Sequence, residues 1–231
     1  DYLFLGVGSH AIHPPFYDEK VDGLFSFHTL GDIEKINSFI EQNKVKNVVV
    51  VGAGLNGLEC SYALFERGFS VSLVDCSDRV LSAQVDQETG NYISSLMKNK
   101  VKFYGNCFVE ELIQEDGGIV GVRCKNGQTL PADLVICATG ARVQNSLVKD
   151  SLLQLHESSV VVDSTLKTSL PNVFAAGDVV FTNELVSGCK NKSMTWSDAM
   201  LQGLCAATQL SEKPRPYRGL IGMRDSEFFE R

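Results

Sequence analysis

The stretch Val48–Glu59, VVVVGAGLNGLE, constrains the fold more than any other part of the sequence. Its four consecutive valines predict a short parallel strand that is buried on both faces. The chain then turns through Gly52, Gly54 and Gly57 into a helix, so the pattern G-x-G-x-x-G lies between a strand and a helix. This context predicts a dinucleotide-binding unit; the alternative is a glycine-rich turn in another α/β fold.

Each glycine of the pattern has its own physical role. Gly52 permits the tight turn, Gly54 has no Cβ and lets a pyrophosphate approach the backbone, and Gly57 lets the helix pack closely on the strand. The N–H groups and the positive dipole end of the helix then face the phosphates.

An acidic residue stands where this pattern requires one. The helix is expected to end with a C-cap at Gly68, the apolar strand Val71–Val74 follows, and Asp75 comes next, about 20 residues beyond the glycines. A carboxylate binds two ribose hydroxyls well and repels a 2′-phosphate, which favours NADH over NADPH. Arg79 is the basic group that would moderate this preference, and we expect it on the exposed surface of the loop.

Composition excludes several classes of partner. The 231 residues carry a formal net charge of −7, which argues against a nucleic acid or an anionic membrane as partner. No apolar run approaches 18 residues and no signal peptide is visible, so we expect a soluble protein. The seven cysteines fall singly and are expected to be reduced residues of a cytoplasmic protein, and the scattered histidines give no metal-ligand spacing.

Further elements follow from local patterns. Thr29-Leu30-Gly31-Asp32 has the form of a capping box, and a second helix is expected after Asp86. Three short β segments then surround Gly117-Gly118 and Asn126-Gly127, of which the second has the sequence of a two-residue hairpin turn. The sequence therefore predicts a β-meander, which leads into the buried strand Asp133–Cys137.

The last third contains a further amphipathic helix, from about Thr195 to Leu210. Its apolar stripe, which we interpret as core packing, consists of Trp196, Ala199, Met200, Gly203, Ala207 and Leu210. We expect Trp196 to be a core aromatic.

Four motifs in sequence resemble the pyridine nucleotide–disulfide oxidoreductase family of flavoproteins. They are YLFLGVGS, VVVVGAGLNGLE with Asp75, the meander that ends in ICATG, and TSLPNVFAAGDVV. The resemblance implies an α/β fold with a Rossmann-like parallel sheet, helices and a three-stranded β-meander, flanked by parts of a second, FAD-type dinucleotide-binding domain. It implies pieces of the FAD domain at 1–25 and 144–212, an NAD(H)-binding domain at 26–143, and the start of an interface domain at 213–231.

The family's functional residues are carried over only by this resemblance. NADH would contact the glycine turn, Asp75 and the ends of two further strands, and FAD would contact the AAGD turn. The residues that the resemblance assigns to the two cofactors are Gly52, Gly54, Leu55, Asn56, Gly57, Glu59, Asp75, Val109, Thr139, Gly140, Gly177 and Asp178. Val109 would flank the adenine, and Glu59 would point towards the nicotinamide and flavin. From the residues alone, Asp178 would also suit a helix N-cap and Glu59 an ordinary surface position.

The chain also departs from the family pattern. It begins with Asp1 rather than Met, and the family's first glycine motif, its redox cysteine and most of its interface domain are missing, so we expect a fragment. The GVGS turn lacks the family's threonine. No catalytic acid, base or nucleophile is needed, because hydride transfer requires only correct positioning of the two rings.

The predicted function is the NADH-binding part of an FAD-dependent oxidoreductase that passes electrons to a second acceptor. An electron-acceptor protein is a possible partner, the parent protein is expected to be a homodimer, and the fragment itself is expected to be inactive. Two alternatives stay open at this point: a non-catalytic NAD-sensing module and a plain NAD-dependent dehydrogenase. The AAGDVV motif speaks against the first, and the meander speaks against the second.

Overall fold

The computed structural model describes residues 1–192, 194–221 and 226. The chain begins with β1 (Leu3–Leu5), β2 (Ser9–Ala11), β3 (Leu24–Ser26), α1 (Leu30–Gln42), β4 (Asn47–Val51), α2 (Leu55–Glu66), β5 (Ser70–Val74) and α3 (Gln87–Met97). It continues with β6 (Lys102–Tyr104), β7 (Val109–Glu115), β8 (Gly118–Cys124), β9 (Thr129–Pro131), β10 (Leu134–Cys137) and β11 (Ala141–Val143). It ends with β12 (Leu155–His156), β13 (Ser159–Val161), β14 (Val173–Ala175), β15 (Val180–Asn183), β16 (Lys190–Asn191) and α4 (Trp196–Thr208).

Contacts divide the chain into two compact units. We call the first the flanking unit; it comprises Asp1–His10 and Arg142–Arg224. We call the second the central unit; it comprises Ala11–Ala141 and Asp225–Arg231. The α/β class that the sequence predicts is confirmed.

A five-stranded parallel sheet forms the middle of the central unit, in the order β3-β10-β4-β5-β6. Strand β4 is buried on both faces, as its valines predict. Val48 and Val50 pack with residues of α1, α2 and α3, whereas Val49 and Val51 pack with residues of the meander. Because side chains alternate along a strand, one run of valines contributes to two cores.

Caps mark the beginnings of the helices where the sequence predicts them. Thr29 and Asp32 form the reciprocal capping box of α1, and Asp86 accepts a hydrogen bond from the backbone of Thr89 at the start of α3. Helix α2 ends at Glu66, and Gly68 follows with a φ of +88°. That left-handed conformation is the one for which a glycine is favoured at a helix end.

The antiparallel meander β7-β8-β9 packs on the opposite face of the sheet from the helices. Its first turn has positive φ at Asp116 and Gly117. The second turn was predicted wrongly as a two-residue hairpin turn, because only Gly127 has a positive φ and the N–H of Cys124 bonds to the carbonyl of Gln128. The loop therefore has three residues, of which the last adopts the left-handed conformation.

A disulfide corrects the expectation that all seven cysteines are reduced. Cys107 and Cys124 are joined, with their Cα atoms 5.9 Å apart. Both side chains are buried in the core cluster beneath the meander, where strand pairing brings the start of β7 beside the end of β8. Nothing in the local sequence indicates this pairing, because the antiparallel register determines it.

The flanking unit contains shorter sheets. Strands β1 and β14 pair in parallel, and a second sheet has the order β12-β13-β15-β16. Helix α4 contributes Gln202, Cys205 and Ala206 to the interior. The predicted stripe is therefore wrong, since the helix is rotated so that Trp196 is 80% exposed and Met200 57% exposed. Both sides of α4 carry apolar residues, so periodicity alone does not decide which side faces the core.

The segment after α4 is described only in part. Tyr217 and Leu220 are buried in the flanking unit. Of the segment 213–231, assigned by resemblance to an interface domain, residues 222–225 and 227–231 lie outside the described residues. In the described part of the chain, no helix has the length and apolar character to cross a bilayer.

Candidate nucleotide-binding site

The glycine turn lies at the carboxyl end of β4, and at two of its positions no residue larger than glycine fits. Gly52 has a φ of +108°, and a Cβ on it would lie 2.5 Å from the carbonyl oxygen of Ala138. A Cβ on Gly57 would lie 1.8 Å from the carbonyl oxygen of Gly52. The absence of side chains here lets α2 start directly against the end of the sheet.

The beginning of α2 differs from those of the other helices. Its N-cap is Gly54, and the described residues offer no side chain that caps it, whereas α1, α3 and α4 are capped by Thr29, Asp86 and Thr195. The first backbone N–H groups of any helix have no partner within the helix. Those of Leu55 and Asn56 are therefore positioned to bind an anion such as a pyrophosphate.

Asp75 connects the end of β5 to this turn. One carboxylate oxygen accepts a hydrogen bond from the N–H of Ala53 at 2.6 Å, and the other accepts one from the N–H of Ser77 at 2.7 Å. Because each carboxylate oxygen accepts more than one hydrogen bond, the side chain retains capacity for two ribose hydroxyls. Asp75 thus lies beside the glycine turn, although it follows Gly54 by 21 residues in the sequence.

Arg79 was expected on the exposed loop surface, and the structure corrects this. Its side chain is partly buried, and its guanidinium donates to the backbone carbonyls of Ser82 at 3.1 Å, Val85 at 2.8 Å and Asp86 at 3.3 Å. The physical reason is that the loop folds back on itself and leaves three carbonyls facing one planar donor group.

The turn after β10 lies beside the glycine turn. A Cβ on Gly52 would also approach the backbone nitrogen of Thr139, at 3.2 Å. The hydroxyl of Thr139 donates to the carbonyl of Ile12 at 2.6 Å, and Gly140 has a φ of +92°. Thr139 and Gly140 therefore lie next to the glycine turn. The threonine hydroxyl also holds the loop that follows β2, through its hydrogen bond to Ile12.

Two of the predicted site residues lie in other surroundings. Val109 is only 3% exposed and packs with Val51 and Val74 in the core beneath the meander. Glu59 is partly buried and lines a cleft of about 300 Å³ with apolar residues of α1 and α2, and it accepts a hydrogen bond from the hydroxyl of Ser226. Their assigned contacts with adenine and nicotinamide remain predictions.

In the flanking unit, Gly177 and Asp178 form a turn before β15. Because a strand begins at Val180, Asp178 caps no helix, and that alternative is wrong. The hydroxyl of Ser9 donates to the carboxylate of Asp178 at 2.5 Å. Sequence reasoning missed Ser9, because 169 residues separate the two partners and no local pattern links them.

A buried glutamine holds this turn in place. Gln202 is fully buried, accepts a hydrogen bond from the N–H of Gly177 at 2.7 Å, and donates to the hydroxyl of Tyr217 at 3.3 Å. Burial raises the pKa of Tyr217 to about 12, with the nearby Asp198 carboxylate adding to the shift. The sequence signal that could have pointed to Gln202 was a polar residue among the apolar residues of α4, because a buried polar side chain needs a hydrogen-bond partner.

Taken with the sheet order, the glycine turn and Asp75 define a dinucleotide-binding α/β unit. The family model described as pyridine nucleotide-disulphide oxidoreductase matches residues 1–203, and the chain belongs to this family, as its motifs predict. NADH and FAD are the cofactors that the family implies for the parent protein. In the described part of the chain, no three His, Cys, Asp or Glu side chains form a group that would hold a metal ion.

Three comparisons illustrate the similarity. The chain is 31% identical to an NADH oxidase of Methanocaldococcus jannaschii, over 91% of this chain and 47% of that protein. It is 28% identical to a CoA-dependent NAD(P)H sulfur oxidoreductase of Pyrococcus furiosus, over 100% of this chain and 52% of that protein. The structure of reduced Bacillus anthracis CoADR-RHD superposes with a TM-score of 0.90 at 28% identity, over 99% of this chain and 41% of that one. The chain therefore spans about half the length of the curated relatives that it matches.

Proposed function

We propose that this chain is the NADH-binding part of an FAD-dependent oxidoreductase. The parent protein passes a hydride from NADH to the flavin and then passes electrons to a second acceptor. One observation carries the proposal: the carboxylate of Asp75 is bonded to Ala53 in the glycine turn, beside the uncapped start of α2. This geometry pairs an acceptor for ribose hydroxyls with donors for a pyrophosphate.

The residues of each unit suit one dinucleotide. In the central unit, the backbone from Gly52 to Gly57 would hold the pyrophosphate of NADH, and Asp75 would hold the adenosine ribose. In the flanking unit, Asp178, which Ser9 contacts, and Gly177 would hold the ribityl and pyrophosphate part of FAD. When bound, FAD supplies the group that accepts the hydride. Hydride transfer requires only correct positioning of the two rings, so no proton-transfer residue is needed.

The acceptor is proposed only as a class. The relatives carry names that specify different acceptors, an oxidase in one case and a sulfur oxidoreductase in another. We infer that the parent passes electrons to a protein or a small inorganic acceptor and that it works as a homodimer in the cytoplasm. The domain assignment also remains a proposal, with the NAD(H)-binding domain at 26–143, FAD-domain pieces at 1–25 and 144–212, and an interface segment at 213–231.

We infer that the 231 residues alone bind NADH without turnover, because hydride transfer requires a flavin held close to the nicotinamide. A visible flavin absorption band in the purified chain, or NADH consumption with a dye as acceptor, would contradict this inference. Neither result would affect the proposed NADH site.

Calorimetric titration with NADH and NADPH tests the site itself. We expect NADH to bind more tightly, and Asp75→Asn to lower the NADH affinity about tenfold, because a charged acceptor of ribose hydroxyls is lost. Glu110→Gln, which removes a charge from the exposed face of β7, is the matched control and should leave the affinity unchanged. Tighter binding of NADPH by the unmodified chain would overturn the role of Asp75.

A further inference from the structure

The loop after β5 returns over the glycine turn. The N–H of Leu81 donates to the carbonyl of Ala53 at 2.8 Å, next to the bond between Ala53 and Asp75. Leu81 is buried and has a φ of +51°, a conformation that is rare for a leucine. Such backbone outliers persist only where the surroundings impose them, and they are frequent at ligand-binding sites. We call residues 77–86 the closing loop.

The closing loop places an amide group over the turn. The side-chain nitrogen Nε2 of Gln84 lies 3.7 Å from the point that a Cβ on Gly54 would occupy. The side chain is exposed, and among the described residues it makes no hydrogen bond. A free N–H donor thus faces the space that a glycine at position 54 keeps open.

Arg79 determines where this amide lies. Its three hydrogen bonds go to the carbonyls of Ser82, Val85 and Asp86, which lie on both sides of Gln84 in the sequence. Both terminal nitrogens of the guanidinium are used in these bonds, so Arg79 holds the loop and is not directed at a ligand.

We propose that Gln84 is a ligand-binding residue, whose Nε2 donates to the pyrophosphate of a nicotinamide dinucleotide lying over Gly54. Arg79 is the positioning residue that holds the closing loop, and with it Gln84, in place. This inference rests on the proposed function, since it adds a side-chain contact to the same site. Gln84 contacts a group that NADH, NADPH and ADP-ribose share, so it contributes affinity and does not contribute to selectivity between NADH and NADPH.

Titration with ADP-ribose and with adenosine tests the contact, because only the first has a pyrophosphate. We expect Gln84→Ala to weaken ADP-ribose about tenfold, as for a hydrogen bond to a charged group, and to leave adenosine unchanged. Gln87→Ala, which removes an exposed glutamine three residues further on, is the control and should change neither. Equal ADP-ribose affinity in Gln84→Ala and the unmodified chain overturns the inference, whereas no binding by the unmodified chain overturns the proposed function itself.

A double-mutant cycle tests the role of Arg79. We expect Arg79→Ala to weaken NADH and NADPH by the same factor, and the double variant with Gln84→Ala to be no weaker than Arg79→Ala alone. If Arg79 affected binding independently of Gln84, the losses in affinity from the two single substitutions would add in the double variant, and that result overturns the positioning role. A selective change in NADPH affinity alone would also overturn it, because it would mean that Arg79 itself faces the ligand.

Discussion

The central and flanking units of this chain differ in how their apolar residues are used. In the central unit, the sheet is covered by helices on one face and by the meander on the other, and the valines of β4 are buried. Exposed large apolar side chains occur in the central unit too, at Leu30, Tyr92 and Phe108 for example, but they are more frequent in the flanking unit, among them Tyr2, Phe4, Trp196 and Leu204. The central unit therefore builds its site on a sheet that its own residues cover, whereas the turn of Asp178 depends on a few polar contacts.

The two turns are held by different interactions. The glycine turn is fixed by backbone packing that leaves no room for a Cβ at Gly52 or Gly57. The turn of Gly177 and Asp178 is held by the side chains of Gln202 and Ser9. Substitutions should consequently have different effects in the two units.

The largest effect is expected from a methyl group at Gly52 in the central unit. Gly52→Ala combines a positive φ with a Cβ 2.5 Å from a backbone oxygen, so we expect a loss of about 3 kcal/mol or more in stability, together with loss of NADH binding. The matched variant in the flanking unit is Gly203→Ala, on an exposed part of α4 with nothing near the new Cβ, which should stabilise by about 0.5–1 kcal/mol. Urea unfolding followed by circular dichroism measures both, and equal effects would remove the distinction between the units.

The disulfide of the central unit should have an effect of similar size. Cys107 and Cys124 are separated by 17 residues, so replacing both by alanine should cost about 3 kcal/mol. Cys76→Ser, which changes an exposed free cysteine, is the control. Thiol counting in urea without reductant should give five thiols in the unmodified chain, and a count of seven would show that the disulfide is absent.

A smaller effect is expected from the polar contacts of the flanking unit. Gln202→Leu leaves the N–H of Gly177 without its buried partner and should cost about 2 kcal/mol. Tyr217→Phe removes two longer contacts, the 3.3 Å one from Gln202 and the 3.5 Å one to Asp198, and should cost about 1 kcal/mol or less. Urea unfolding followed by circular dichroism measures both variants. A larger loss for Tyr217→Phe than for Gln202→Leu would reverse the assigned order.

The smallest effect concerns thiol chemistry and its pH dependence. Burial raises the pKa of Cys60 and that of Cys137 to about 12, from an ordinary value of 9.0. Both thiols should stay protonated and unreactive towards an aromatic disulfide reagent at pH 8, whereas the exposed Cys76 and Cys189 should react quickly. Because the unfolded thiols ionise first, this contribution to stability is complete below pH 9 and is lost as the pH rises towards 12. Fast reaction of four or five native thiols would contradict the burial.

Much of the central unit was predictable because its signals are local. The run of valines gives the buried strand, Thr29 and Asp86 give the helix caps, and the spacing of the glycines and Asp75 gives the site. The α4 helix was also predictable as a helix, yet its buried face was not, because apolar residues lie on both sides and packing chooses between them.

The sequence by itself determined the α/β class, the family and the position of the glycine turn, since these depend on residues close together in the chain. Only the tertiary structure decided that Cys107 pairs with Cys124, that Arg79 binds the closing loop, and that Ser9 reaches Asp178. The disulfide and the contact of Ser9 join residues that strand pairing or chain folding brings together. The contacts of Arg79 depend on how one loop folds, and no periodic pattern records any of the three.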